Sequence, residues 1–316
     1  MGYKAKTGIL ALLALALIGL FLFLKLGDNW DYVLPKRTLK VLAIVLTGAA
    51  IGFATTVFQT ITNNRILTPS ILGLDSLYML IQTFVIFVFG SKTLMMMSSN
   101  MDFLMSVGIM VIFSGLLFRF IFKGEGQNVY FMLLIGIIFG TFFGSVSTFM
   151  QVLIDPSEFL IAQDKMFASF NNVNTKLLLI GGILTLLVTL YFLRFVKYLD
   201  VLALGREQAI NLGVPYDYVV RRLLFVVAVL ISISTALVGP ITFLGLLVVN
   251  VTYQFLKTYR HSYLILGSVL ISIIALVGGQ LIVERVFTFS TTLSVIINFV
   301  GGVYFIYLLL KENKSW

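Results

Sequence analysis

Residues 194–222 read RFVKYLDVLALGREQAINLGVPYDYVVRR, the longest polar interruption in the C-terminal half of the chain. The stretch separates two apolar runs, 176–195 and 217–239, each near the roughly 20 residues that cross a bilayer as a helix. Arg194 and Lys197 crowd one edge, Arg221 and Arg222 the other. Inside it, LGREQAINLG reads as a short helix. Gly205 opens the helix, Ala209, Ile210 and Leu212 give it apolar positions, and Gly213 with Pro215 stops it. Such a piece is too short to anchor anything alone. It is either an ordinary loop or an element shaped to enter a groove on another protein.

Moving outward, the same alternation of apolar run and short polar break continues through the chain. Hydrophobic residues make up 59% and charged residues 11%, with a mean hydropathy of +1.06. A soluble domain carries about 25% charged residues. Ten runs suit membrane crossing: 7–26, 38–61, 68–90, 98–121, 128–153, 176–195, 217–239, 241–257, 263–283 and 290–311. The expected fold is therefore all-α, a polytopic membrane protein of about ten transmembrane helices. The first run is followed by no small-residue cleavage signal and reads as a retained span. Residues 1–316 are expected to form one membrane domain, with 196–216 as a loop within it.

Ten crossings put both termini on one side. Placing them inside puts 14 Lys and Arg inside and 8 outside. The inside set includes Lys4, Lys6, Arg65, Lys123, Arg206, Arg260 and Lys314, and the acidic residues lean outward, Asp28, Asp102, Asp164 and Glu284 among them. Since the Lys/Arg bias sets orientation, the termini and the 194–222 loop are expected in the cytoplasm. The formal charge of +9 is scattered between apolar runs, so it does not indicate nucleic acid. The 154–175 loop is the longest outer segment.

Two runs carry small residues at every fourth position, which lets helix backbones approach closely in lipid. One has Gly136, Gly140, Gly144 and Thr148; the other has Gly48, Gly52, Thr56 and Thr60. Tight packing is the plain reading, and a face lining a transport path is the functional one. TPSILGL at 68–74 is echoed by GPITFLGL at 239–246 after a span of opposite direction, a weak sign of an inverted repeat with broken helices.

The chemistry of enzymes is missing. The chain has no cysteine, no GxxxxGK[ST] phosphate loop and no HExxH, and its one histidine, His261, reads as a solvated residue of a cytoplasmic turn. Asp75 is the main acidic residue inside a span, which suggests function; its place after the 69–73 break equally suits a helix start. No catalytic residue, metal site or cofactor is expected. An ion-coupled carrier would show buried paired charges, which are scarce here, and a membrane enzyme would need a nucleophile with its base.

Four stretches carry a resemblance to a known family. They are LPKRTL at 34–39 leading into Thr47-Gly48-Ala49-Ala50, FQTITNNRILTPSILG at 58–73, LGREQAINLGV at 204–214, and GPITFLGL at 239–246. Together they resemble the FecCD-type permease subunits of ABC importers for ferric siderophores, haem and cobalamin. The second is similar to that family's Q-x-x-x-x-N-P-L-A-x-P-x-x-L-G, and the third to its ATPase-coupling loop. The wording of 58–78 is nearest to the catecholate siderophore branch. Two departures stand out: Asn64-Arg65 replaces the family's N-P, and Val248-Val249-Asn250 replaces its V-P-H.

The resemblance implies a bacterial plasma-membrane permease that translocates a ferric siderophore. It implies a second permease subunit, identical or different, two separate ABC ATPase subunits that hydrolyse the ATP, and an extracytoplasmic substrate-binding protein. An importer of haem or cobalamin has the same architecture, and an ion-coupled secondary transporter is the alternative of another class. On this reading Gly205, Arg206, Glu207, Ala209, Ile210, Leu212 and Gly213 contact the ATPase. Ala209 lets the helix seat deeply in the ATPase groove, and the bounding glycines let the helix turn as a unit. The outer basic residues Lys36, Arg37 and Arg285 dock the binding protein. Gly136, Gly140, Gly144 and Thr148 pack beside the path.

Overall fold

Two helices that are buried along most of their length form the centre. In the computed structural model, which describes residues 2–25, 29–96, 98–121, 129–171, 173, 175–288 and 291–312, α2 (Trp30–Thr62) is buried without a break from 51 to 62. Helix α10 (Tyr216–Val238) is buried without a break from 226 to 235. Both carry hydroxyl residues in this dry interior, and each hydroxyl needs a partner. The helices supply many of them internally: Thr56 and Thr60 donate to the carbonyls of Gly52 and Thr56 at 2.8 Å, and Ser232 to that of Ala228 at 2.7 Å.

The remaining helices wrap this pair. Helix α12 (His261–Arg285) lies along α2, and its other faces take α1 (Tyr3–Phe23) and α11 (Leu244–Leu256). Helix α13 (Leu293–Glu312) packs on α11 and α12. On the other flank, α4 (Ser99–Ile121) and α7 (Thr175–Phe192) lie against α10, while α3 (Leu74–Met96) pairs with α5 (Val129–Leu153). Two short helices, α8 (Val196–Leu202) and α9 (Arg206–Asn211), occupy the polar interruption between α7 and α10. The 154–175 loop is partly ordered as α6 (Pro156–Asp164). Among the described residues there is no strand.

Among the described residues, seven helices are long and apolar enough to cross a membrane: α1, α2, α4, α5, α7, α10 and α12. The other three apolar runs hold shorter apolar helices, Leu74–Gly90, Leu244–Leu256 and Leu293–Leu308. The third run is not one helix. A 3-10 turn, Pro69–Leu72, and left-handed Gly73 (φ +78°) precede α3, and α3 kinks at Gly90 (φ +75°). Large apolar side chains cover the perimeter, including Leu12 on α1, Phe149 on α5, Leu186 on α7 and Phe299 on α13. A perimeter of this kind needs lipid or a partner subunit against it. The chain is a multi-pass membrane protein. Asp28, Lys123 and Lys314 of the charge count lie outside the described residues.

Candidate functional site

The sequence 205–214 folds as a closed unit. Gly205 (φ +98°) precedes α9 and Gly213 (φ +81°) follows it. The end of α9 is sealed by two reversed bonds, Gly213 N–H to the Ile210 carbonyl at 2.9 Å and Val214 N–H to the Ala209 carbonyl at 3.0 Å. This is the glycine cap that satisfies the last orphan carbonyls of a helix. It comes with the usual apolar contact, because Ala209 and Val214 are both buried. Ala209, with 0% exposure, therefore faces the chain's own interior and not an outside groove. Ile210 and Leu212 point outward, at 48% and 64% exposure, beside exposed Leu204 and Glu207. Arg206 turns back to Asp217 (3.6 Å) and over the Tyr216 ring (5.7 Å to the centroid).

Helix α8 brings a link that the sequence reading missed. His261 is 4% exposed, so it is not a solvated turn residue. Its ring Nδ1 lies 2.6 Å from Asp200 Oδ1, and its backbone N–H donates to the same oxygen at 2.9 Å. Sixty-one residues separate the partners, so no local pattern announces them. Next to this link a cleft of about 400 Å³ opens, lined by Gln59, Asn63, Arg65, Ala203, Tyr253 and His261 among others. The two departures from the family pattern meet at its edge. Asn250 and Gln59 both donate to the Arg65 carbonyl, at 2.9 and 2.8 Å, and the Arg65 guanidinium lies over the Tyr253 ring at 4.6 Å.

The glycine faces separate in space. A Cβ on Gly52 would stand 2.9 Å from the Ser268 carbonyl oxygen, and one on Gly48 2.8 Å from Ser272 Oγ, so α2 touches α12 backbone to backbone. Thr56 and Ser268 hydroxyls bond across this contact at 2.7 Å. On α5, a Cβ on Gly136 would stand 2.7 Å from the Ile71 carbonyl oxygen and one on Gly140 3.3 Å from Gly73 Cα. Those two glycines seat the broken turn before α3. Gly144 has open space where a Cβ would go, and Thr148 is exposed.

The two echoed breaks meet at one side chain. Asp75, in the first turn of α3, accepts from Thr235 Oγ1 at 3.3 Å, just before α10 ends at left-handed Gly239. Ser70 from the first break and Thr242 from the second line the same small cavity. Asp75 thus ties the two breaks together. Among the described residues no group of three or more His, Cys, Asp or Glu is placed to hold a metal.

At the opposite end, the expected basic residues gather around the end of α1. Arg37 Nη1 donates to the carbonyls of Phe21, Leu22 and Leu24 at 3.2, 3.0 and 2.8 Å, and Arg285 Nη2 to that of Leu24 at 3.0 Å. They act as a cationic cap on the negative end of α1. Lys36 bonds the Tyr32 hydroxyl and is exposed. Lys40 and Glu284, 2.9 Å apart, join α2 to α12 beside them.

Comparison with known proteins follows the whole chain. The profile of the FecCD transport family matches residues 7–311. The Petrobactin import system permease protein YclO of Bacillus subtilis (strain 168) is 67% identical over 316 residues, covering 100% of both chains. The Petrobactin import system permease protein FatC of Bacillus anthracis is 38% identical over 281 residues, 89% of this chain and 79% of that protein. Among solved structures, a metal-chelate type ABC transporter in an inward-facing conformation superposes with a TM-score of 0.85. That match has 20% identity and covers 98% of this chain and 100% of the other, so it speaks for the fold.

Proposed function

Because the chain belongs to the FecCD transport family, we propose that it is the permease subunit of a bacterial ABC importer that carries a ferric siderophore across the plasma membrane. The observation that carries this reading is the 67% identity, end to end, with a petrobactin import permease. Petrobactin is accordingly the first chelate to test. A strain lacking its own permease, given this chain with the matching ATPase and binding protein, should regain uptake of radio-iron-labelled petrobactin. Uptake of haem or cobalamin but no siderophore would overturn the substrate class.

The membrane topology is proposed as ten crossings with both termini in the cytoplasm. Support comes from the seven long helices together with the three shorter apolar ones, and from the Lys/Arg asymmetry. The chain has no cysteine, so single cysteines placed at 124 and 208 can be mapped with an impermeant thiol reagent. Labelling of either from outside would reverse the orientation. On this reading residues 1–316 make one permease domain, which pairs with a second permease, and 196–216 is the coupling segment.

Coupling runs through the outward face of α9. The chain carries no phosphate loop, so work must enter from a separate ATPase. Leu204, Ile210 and Leu212 offer apolar anchors, with Glu207 at the rim. The capped glycine ends, at Gly205 and Gly213, keep α9 rigid while it moves, and buried Ala209 seats it on the bundle. Closure of the ATPase pair shifts this element and switches the facing of the path between two states. Lys36, with Arg37 and Arg285 behind it, receives the acidic surface of the binding protein. An Arg37→Glu, Arg285→Glu double variant should lose pull-down of that protein at low salt. The Gly136 and Gly140 contact is placed beside the path.

A further inference from the structure

We propose that Asp200 and His261 are positioning residues that fasten the α8–α9 element to α12, so that movement of the element passes into the α12–α2 pair. The proposal rests on the reading of that element as the ATPase-coupling segment. Helix α12 begins at His261, and no side chain of its own cap residue, Arg260, closes its first turn. The missing acceptor comes from another element instead. Asp200 takes the first backbone N–H of α12 at 2.9 Å and sits 2.6 Å from the ring of the same residue. A carboxylate at a helix N-terminus answers both an orphan donor and the positive end of the dipole, so the attachment is to the axis of a 25-residue helix and not to one side chain.

The two ends of the link differ in their surroundings. The His261 side chain is 5% exposed and fixed, whereas that of Asp200 is 53% exposed at the surface where a partner would press. Beneath Asp200, Leu199 and Leu202 of α8 are fully buried, so α8 moves with its seat or not at all. The other polar tie of the element, Arg206 to Asp217, is long and exposed at both ends, the kind of pair that holds little. From α12 the contact continues to α2 through Ser268, which bonds Thr56 at 2.7 Å and leaves no room for a Cβ at Gly52. The route thus runs from Asp200 to His261, along the body of α12 to Ser268, and across to Thr56, from the polar loop into the central helix.

The test uses the complete reconstituted complex with its ATPases and binding protein, and reads chelate transported per ATP hydrolysed. Asp200→Ala should assemble with the ATPase at wild-type yield and still hydrolyse ATP. It should carry at least about fivefold less chelate per ATP, the range of a modest coupling energy. Asp200→Asn retains an acceptor for both N–H groups and should recover most of the ratio. A purely structural cap would lower folded protein and uptake together and leave the ratio unchanged, and that result overturns the proposal, as does a wild-type ratio in Asp200→Ala. Leu212→Arg, run in parallel, separates the premises. If it loses ATPase association while Asp200→Ala keeps a normal ratio, only the Asp200–His261 link falls. If Leu212→Arg assembles and couples like wild type, the coupling segment itself is misassigned and the proposal falls with it.

Discussion

The glycine face of α2 and that of α5 have the same spacing and different fates. On α2, Gly48, Gly52 and Thr56 all press on α12. On α5 only Gly136 and Gly140 are in contact, and their partner is the bent backbone at 71–73 and not a helix. Gly144 and Thr148 continue the spacing into open space. A small-residue repeat thus says that close approach is allowed. It does not say how far along the helix the approach extends, nor what approaches.

Substitutions can break this contrast or sharpen it. The largest effect is expected for Gly52→Leu. The backbone of Ser268 occupies the place of the new side chain, and overpacking against backbone costs about 1–3 kcal/mol or more. Membrane levels of the variant should fall to near nothing. Next, Gly140→Leu should leave the protein inserted but block uptake, because it drives α5 away from Gly73 and so displaces the break at Asp75. Normal uptake at normal membrane level would mean that the break is free of α5. A smaller loss is expected for Thr56→Val, which removes the hydroxyl bond to Ser268; interhelical bonds of this type average roughly 0.6 kcal/mol, visible as a lowered melting point of the purified subunit. The smallest effect is expected for Thr148→Leu, within about 0.5 kcal/mol of wild type for an exposed site away from any contact. If Thr148→Leu keeps its melting point yet abolishes uptake, the open half of the α5 face lines the path or meets the second subunit, and the two faces differ in role as well as in extent.

The fold was legible because bilayer thickness imposes one length on every apolar run, and each run marked in the sequence contains a helix. The third run was read as one span because a break of five residues hardly changes its hydropathy. Within the candidate site, the ends of α9 were legible from Gly205 and Gly213, but its faces were not. Ala209, Ile210 and Leu212 lie within four positions, and successive residues turn by about 100° around a helix. Ala209 and Ile210 are successive and so turn apart, and Leu212 already lies past the last residue of α9, so nothing local tells which of them turns inward. His261 was misread for a different reason: its partner, Asp200, is distant in sequence and itself looks like any loop acid. The same holds for Arg37 and Arg285, whose shared target is the end of α1. The departures at Arg65 and Asn250 looked like two separate irregularities, and they are in contact.

The clasp on α1 also bears on how the chain is made. Helix α1 rests chiefly on α12, with Tyr3 against Tyr263 at 4.7 Å between ring centroids and its last carbonyls held by Arg285. These partners are synthesised some 260 residues later. Until then α1 has only its smaller contact with α2 to settle on, and its end is closed by Arg37. Such distant pairings are slow to form, so α1 must wait at the insertion machinery or in lipid through most of translation. The bundle therefore closes on α1 late, when the α12 segment arrives to hold it in place.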